Sequence, residues 1–366
     1  MKTGFIWDES YFWHQTGNGA LNIDSGGWVQ EDIHAENPET KRRVKNLLDK
    51  SKFIKQLQEI EPRPASHQEV ERNHGKVYIE EIKRLSDMGG GDAGEHAIVG
   101  PDSYEIAMLS AGGAVTAVDA VIRGEVMNAY ALTRPPGHHA EKNEGMGFCL
   151  FNNIVIAAKY ARAQYYLNRI AIIDWDVHHG NGTESAFLND SDVLFISLHQ
   201  ENIFPRNRGS MTEIGKSEGK GYNVNIELPA GTGNEGYMHA FDKVAIPIID
   251  QFEPELILVS AGQDPGRFDP LGRMLVTAEG FYRMAEKVKS LADEHCSGRL
   301  VACHEGGYST AYVPFCTIRI LEAFSGKQSG VNDPFDQGFH EGPIYQNQLD
   351  YINHAKEIQS AYWRLS

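Results

Sequence analysis

Short apolar runs rich in β-branched residues alternate with helical stretches along most of this 366-residue chain. Runs at 4–7, 129–133, 170–173, 193–198, 222–228, 256–260 and 300–304 read as strands. Stretches at 38–59, 104–123, 152–166, 236–251 and 278–294 carry helical patterns. Strands that alternate with helices predict βαβ units, and so an α/β fold with a mostly parallel sheet flanked by helices. The run Leu256-Ile-Leu-Val259 agrees, because parallel strands are covered on both faces and stay apolar throughout. Glycine-rich stretches at 17–27 and 88–94 read as long surface loops. One main domain is expected over 1–325. A tail over 326–366, ending in a short helix near 346–363, is expected to pack on that domain or at a subunit interface.

Composition narrows the classes. The net charge of −16 argues against nucleic acid as a partner, since binding its backbone needs a basic surface. An acidic field attracts cationic substrates such as lysine side chains or polyamines, although acidity also serves solubility alone. Cys149, Cys296, Cys303 and Cys316 show no C-x-x-C spacing, which argues against a disulfide framework or a thiolate zinc site. The N-terminus reaches Asp8 before a signal-peptide core can form. No apolar stretch reads as long enough to span a membrane. A cytoplasmic protein with no membrane partner is the expectation.

In open α/β sheets, ligands collect outside the carboxyl ends of the strands. Here several predicted strand ends carry unusual polar residues. The run 129–133 leads into Arg134-Pro-Pro-Gly-His138-His139, and 170–173 into Asp174-Trp-Asp176-Val-His178-His179-Gly-Asn181-Gly182. The run 256–260 leads into Ala-Gly-Gln263-Asp264, and 300–304 into Glu305-Gly306-Gly307-Tyr308. Such termini along one edge of one sheet predict a single site.

In extended backbone, side chains two apart point the same way, so Asp174, Asp176 and His178 leave the strand on one side. Asp176 and His178 can chelate a divalent ion, and Asp264 is the best-placed third ligand. Two carboxylates and one imidazole leave a position open for water and substrate, as in catalytic zinc sites; iron(II) or cobalt also suits such donors. His138 and His139 follow a rigid Pro-Pro-Gly turn, and a histidine beside a metal can act as general base. Each ring needs an acceptor on its outer nitrogen, and Asp174 and Asn181 suit the two. A carboxylate partner favours imidazolium and an amide does not, so His138–Asp174 and His139–Asn181 pairs would hold different protonation states. Tyr308 follows two glycines that let the backbone aim its phenol inward, where the hydroxyl can stabilise an oxyanion.

These residues, together with Gly145-Met-Gly147-Phe148-Cys149 and Asp269-Pro-Leu-Gly272, resemble the zinc-dependent histone deacetylases. Trp175, Asn181 and Glu305 resemble class II, including the bacterial histone deacetylase-like amidohydrolases. The likeness runs from about Phe5 to Phe324. It implies an arginase/deacetylase fold around an eight-stranded, mostly parallel sheet. It implies one Zn2+ per subunit on Asp176, His178 and Asp264. His138 and His139 match the catalytic pair, with Asp174 and Asn181 behind them, and Tyr308 matches the oxyanion tyrosine. Phe148 and Phe204 match the aromatic walls around an acyl-lysine stem, with Gly147 and Gly306 in the same substrate site. Structural K+ or Na+ ions are also implied, one at Asp174, Asp176, His178, Ser197 and Leu198, the other at Phe187, Asp190, Val193 and Tyr222.

The likeness has gaps. Gln263 stands where the family commonly has Phe or Leu. Thr40 stands at the arginine of a His-x-Glu-x-Pro-x-Arg pattern that begins at His34, and Lys41 or Arg42 compensates or the inner channel is open. Arg206-Asn-Arg-Gly-Ser210 replaces a glycine-rich turn, and Asp102 is unaligned with the aspartate that grips the peptide backbone in some members. The expected activity is hydrolysis of N-acyl-lysine side chains or small acylated amines, by a chain that is a candidate homo-oligomer (dimer or tetramer). Rivals are an acetylpolyamine amidohydrolase, a binuclear arginase-like enzyme and a catalytically silent acyl-lysine binder. Gly180, Gly262 and Gly266 stand where a second metal would want bridging carboxylates.

Overall fold

A computed structural model describes residues 1–336 and 342–365 of the chain. The part of the expected tail at 337–341, and residue 366, lie outside the described residues. The central sheet has eight strands: β1 (Gly4–Ile6), β2 (Gln58–Ile60), β3 (Ala129–Ala131), β4 (Ile170–Asp174), β5 (Val193–Gln200), β6 (Asn223–Leu228), β7 (Leu256–Ala261) and β8 (Leu300–His304). Their order is β6-β5-β4-β7-β8-β3-β1-β2, and every pairing is parallel. The strands with polar sequences after them, β4, β7, β8 and β3, are neighbours at the centre of the sheet. Their carboxyl ends therefore open onto one place.

Side chains alternate across the sheet. Ala171 and Ile173 enter one core, and Ile170 and Ile172 the other. The helices α1 (Glu39–Lys50), α2 (Ser103–Ile122), α3 (Asn153–Tyr165), α4 (Ala278–His295), α5 (Val313–Ser325) and α6 (Gln346–Gln359) cover these faces. Residues of α2 and α3 bury in the core with Ile170 and Ile172, while α1, α4, α5 and α6 supply the opposite core with Ala171 and Ile173. In the tail, α6 lies against β6, buries Ile352 and Ala355, and sends Gln359 Nε2 to the carbonyl of Asn223 at 3.1 Å.

The structure corrects several expectations. The helix expected over 38–59 stops at Lys50. The Ser51 hydroxyl donates to the Leu47 carbonyl, Lys52 turns left-handed at φ 62°, and the chain then forms a short turn and the edge strand β2. The 236–251 helix is interrupted by a wide π-type turn at Phe241–Ala245. Pro247, just beyond, has no N–H to donate to the preceding turn. The loop expected at 17–27 contributes to a three-stranded ribbon of Asn18–Ala20, Ile23–Asp24 and Asp32–Ile33. In the other glycine-rich stretch, Gly91–Asp92 pairs with Ile98–Val99. The structure adds helices beyond those expected from the sequence: α5, Lys76–Asp87 and Asn181–Phe187. Among the described residues one helix, α2, is long and apolar enough to cross a membrane by length and composition, contrary to the sequence expectation. It is instead largely buried, with Ala111, Ala114 and Val118 fully enclosed beneath α3 and the sheet. All the cysteines are free and buried.

Candidate active site

Just beyond the end of β4, Asp176 and His178 meet Asp264, which follows β7. Their ligand atoms all lie within 4.8 Å of one another, and the three side chains are buried. His178 Nδ1 is 3.1 Å from Asp176 Oδ1 and 3.0 Å from Asp264 Oδ2. Burial alone would lower the His178 pKa, but hydrogen bonds to the two carboxylates outweigh it and push it up to about 10. Burial, with the charge of Asp176, holds the Asp264 carboxyl well above its ordinary value. Two carboxylates and an imidazole thus converge where a cation is electrostatically favoured, and their donor set suits a divalent metal. The backbone is shaped around them. A Cβ on Gly262 would sit 2.1 Å from Asp176 Oδ2, and one on Gly306 would sit 2.3 Å from Asp264 Oδ2. The Gly306 and Val177 amides donate to Asp176 Oδ2 and Asp264 Oδ1, both at 2.8 Å.

The tandem histidines arrive on the turn after β3. His138 Nδ1 lies 3.0 Å from Asp174 Oδ2, and His139 Nδ1 lies 2.8 Å from Asn181 Oδ1, so the structure makes both pairings drawn from the sequence. The ring centroids are 3.9 Å apart. Burial opposes charge on His138, yet Asp176 and Asp174 together push its pKa up to about 10. Burial, then the neighbouring His138 and His178, hold His139 well below its ordinary value. The surroundings thus push the two rings in opposite directions, His138 towards the cation and His139 towards the neutral form.

His139, Gly147, Phe148, His178, Phe204 and Tyr308 line a cavity of about 140 Å³, joined by Asn22, His96, Ile203 and Leu271. Gly147 and Phe148 are both left-handed, at φ 53° and 70°. A Cβ on Gly147 would meet His139 Cδ2 at 2.4 Å and Phe204 Cε1 at 2.8 Å, so only glycine fits there. Phe148 meets Tyr308 edge-on with centroids 5.7 Å apart. Burial, then the charges of Asp264 and Asp176, hold the Tyr308 phenol well above its ordinary pKa, so it keeps its proton.

The gaps in the likeness resolve individually. Lys41 turns inward and is fully buried 3.4 Å from Glu36, with its Nζ 5.9 Å from the Tyr308 ring centroid, while Arg42 stays outside with Glu39 and Glu9. Thr40 is buried without a hydrogen-bond partner among the described residues. Gln263 faces Tyr130 and Thr317 and does not line the 140 Å³ cavity. Arg206, Asn207, Arg208 and Ser210 line a separate cavity of about 510 Å³ that shares the Ile203–Phe204 wall. Asp102 precedes α2 in a left-handed conformation and does not line the 140 Å³ cavity either.

At the first expected monovalent-ion site, Asp174 and Ser197 are direct neighbours across β4 and β5, with Leu198 next to Ser197. At the second, Phe187 and Asp190 share a turn, Val193 begins β5, and Tyr222 precedes β6; the Asp190 carboxylate is ion-paired with Arg162. Sequence reasoning assigned no task to Glu305 or Asp269, though both stand in the quoted motifs. Glu305 Oε2 accepts from the Gly137 and His138 amides at 2.6 and 3.1 Å, and Asp269 Oδ2 accepts from the Tyr308 amide at 2.6 Å. Both carboxylates fix the backbone that carries the acting side chains. His179 pairs with buried Glu184, which Asn223 and Asn225 also hold.

Comparison with known proteins agrees with this arrangement. A family model described as the histone deacetylase domain matches residues 34–324. A histone deacetylase-like amidohydrolase of Pseudomonas aeruginosa is 47% identical over 336 residues, covering 91% of this chain and 88% of that protein. A probable deacetylase of Archaeoglobus fulgidus is 38% identical over 379 residues, covering 100% and 99%. The polyamine deacetylase HDAC10 of Danio rerio is 32% identical over 347 residues, covering 92% of this chain and 50% of that protein. The crystal structure of the HDA15 HD domain matches with a TM-score of 0.87 and 30% identity, over 99% of this chain and 95% of that one. The protein belongs to the histone deacetylase family.

Proposed function

We propose that this chain is a zinc-dependent amidohydrolase that removes acetyl-type groups from N-acyl-lysine side chains or related acylated amines. The observation that carries the proposal is the convergence of Asp176, His178 and Asp264 beside two histidines paired with different acceptors, Asp174 and Asn181, next to one aromatic-walled cavity lined by His139 and His178. When bound by those three residues, a divalent ion supplies Lewis-acid activation of water and of the amide carbonyl. His139, neutral and with Nδ1 engaged by Asn181, has Nε2 free to take a proton from the attacking water. His138, cationic beside Asp174, is the proton donor for the departing amine. The protonated Tyr308 hydroxyl donates to the oxyanion as the tetrahedral centre forms. Phe148 and Phe204 enclose a slender alkyl stem and exclude water from it. K+ or Na+ at the two expected sites would brace the loops after β4.

A relative named as a polyamine deacetylase and the net charge of −16 favour acetylpolyamine as the second substrate class. Tyr308 and both histidines are present, which argues against a silent binder. The test is a kinetic panel of acetyl-lysine and trifluoroacetyl-lysine reporters and acetylpolyamines, run with metal analysis and with a chelator. Chelator-sensitive turnover with one zinc per chain is expected. Zinc bound with no turnover of any substrate would reject the enzyme in favour of a binder.

A further inference from the structure

The amino end of β4, opposite the candidate active site, faces a second unassigned feature. An open cavity of about 510 Å³ is lined by Arg72, Lys159, Arg162, Tyr166, Leu167 and Asn168, with Ala163. Three cations and no carboxylate line it, in a chain whose net charge is −16. Arg162 is neutralised by ion pairs with Asp190 and Asp192. The other two are not. Arg72 makes no side-chain hydrogen bond or ion pair with any described residue; its Nη1 is buried without a partner, and its guanidinium lies 5.6 Å from the Tyr160 ring centroid. Lys159 donates to Asn73 Oδ1 at 2.9 Å and lies 5.5 Å from the Phe187 ring centroid, again with no carboxylate. Burial, then the positive charge of Lys142, lowers the Lys159 pKa to about 8, against the opposing pull of Asp190.

Arg72 comes from the turn after the short helix His67–Val70, Lys159 and Arg162 from α3, and Tyr166–Asn168 from the loop into β4. Separate segments thus converge to leave the buried Arg72 Nη1 unsatisfied beside a second cation with no ion pair, which a bare surface charge does not require. A buried guanidinium N–H without an acceptor is costly, and an anion relieves it with charge-assisted hydrogen bonds. A phosphate has enough terminal oxygens to accept from Arg72 and Lys159 together. Beside them, Leu167, Ala163 and the 83% exposed ring of Tyr166 offer an apolar wall for an attached organic group. We propose that this cavity binds a phosphate group, either as free phosphate or as the phosphate of a small monoester such as a nucleoside monophosphate.

The test is calorimetric titration of the metal-loaded full-length protein with inorganic phosphate, adenosine monophosphate and acetate. We expect saturable binding of one phosphate per chain with a Kd below about 1 mM. Arg72→Gln and Lys159→Gln should each weaken it about tenfold or more, as loss of a charge-assisted hydrogen bond does. If one variant fails to fold, the other decides. Adenosine monophosphate binding more tightly than phosphate, with the gain lost in Tyr166→Ala, would identify a monoester; equal affinities would identify free phosphate. The proposal is overturned by no saturable heat at about 10 mM ligand. It is equally overturned by binding that both variants leave unchanged, which would place the anion elsewhere, or by acetate binding as well as phosphate. None of these readouts depends on catalytic activity.

Discussion

Glu36 carries a single negative charge between two fully buried cations, Arg134 at 2.9 Å and Lys41 at 3.4 Å. Burial pushes its carboxyl pKa up, but Arg134 and Lys41 outweigh that and leave it below its ordinary value. A carboxyl whose folded pKa is depressed stabilises the fold above its unfolded pKa, and loses that stabilisation as pH falls through the folded value. Glu36→Gln should therefore cost about 3–5 kcal/mol at neutral pH, as breaking a buried ion pair does, and should flatten the acid limb of stability. Urea unfolding of both proteins across the acid range checks this; an unchanged acid limb would remove Glu36 from it. At Tyr308 the expectation concerns rate. Tyr308→Phe should lower kcat about 10²- to 10³-fold, in the range of other lost oxyanion donors. Unchanged hydrolysis would end that role for the hydroxyl.

At the scale of elements, the site depends on how strands end. After β8, the chain must pass close to two carboxylates, and Gly306 is the residue that lets it. Gly306→Ala places a methyl 2.3 Å from Asp264 Oδ2 and 2.7 Å from Asp176 Oδ2. We predict that it lowers bound metal per chain and that activity falls with it, with far-ultraviolet circular dichroism unchanged; full metal content in this variant would refute the close-approach argument. Strands with long apolar runs, such as β4, β5 and β7, are legible because hydrophobic residues on both faces mark a buried parallel strand. The edge strand β2, Gln58-Glu-Ile60, is not, because three residues of mixed polarity carry no period. The end of α1 is hidden in the sequence for a related reason. Apolar residues continue past Lys50, and only the left-handed Lys52 breaks the helix.

For the whole molecule, the sheet order places β4, β7, β8 and β3 side by side, so residues from Asp174 to Tyr308 share one edge. A metal bound only by the folded chain stabilises it by mass action, by about 2.7 kcal/mol when free metal is 100 times Kd. Chelation should accordingly lower Tm as well as abolish turnover, and added zinc should restore both. A Tm insensitive to chelator and zinc would argue against a metal on Asp176, His178 and Asp264.

The sequence by itself determined the chemistry and the side of the sheet. Period-two geometry joins Asp176 to His178, and acceptor chemistry matches Asp174 and Asn181 to the two histidines, because these relations are local or depend on residue type. Contacts between distant segments were decided only by the tertiary structure. His96 and Asn22 reach the substrate cavity from loops with no signature, and Lys41, not Arg42, turns into the interior. Glu305 and Asp269 act on backbone amides, which every residue has, so no side-chain pattern announces them. That Arg72 lacks a side-chain partner, and that Lys159 has an amide partner and no paired carboxylate, is likewise visible only once the chain has folded.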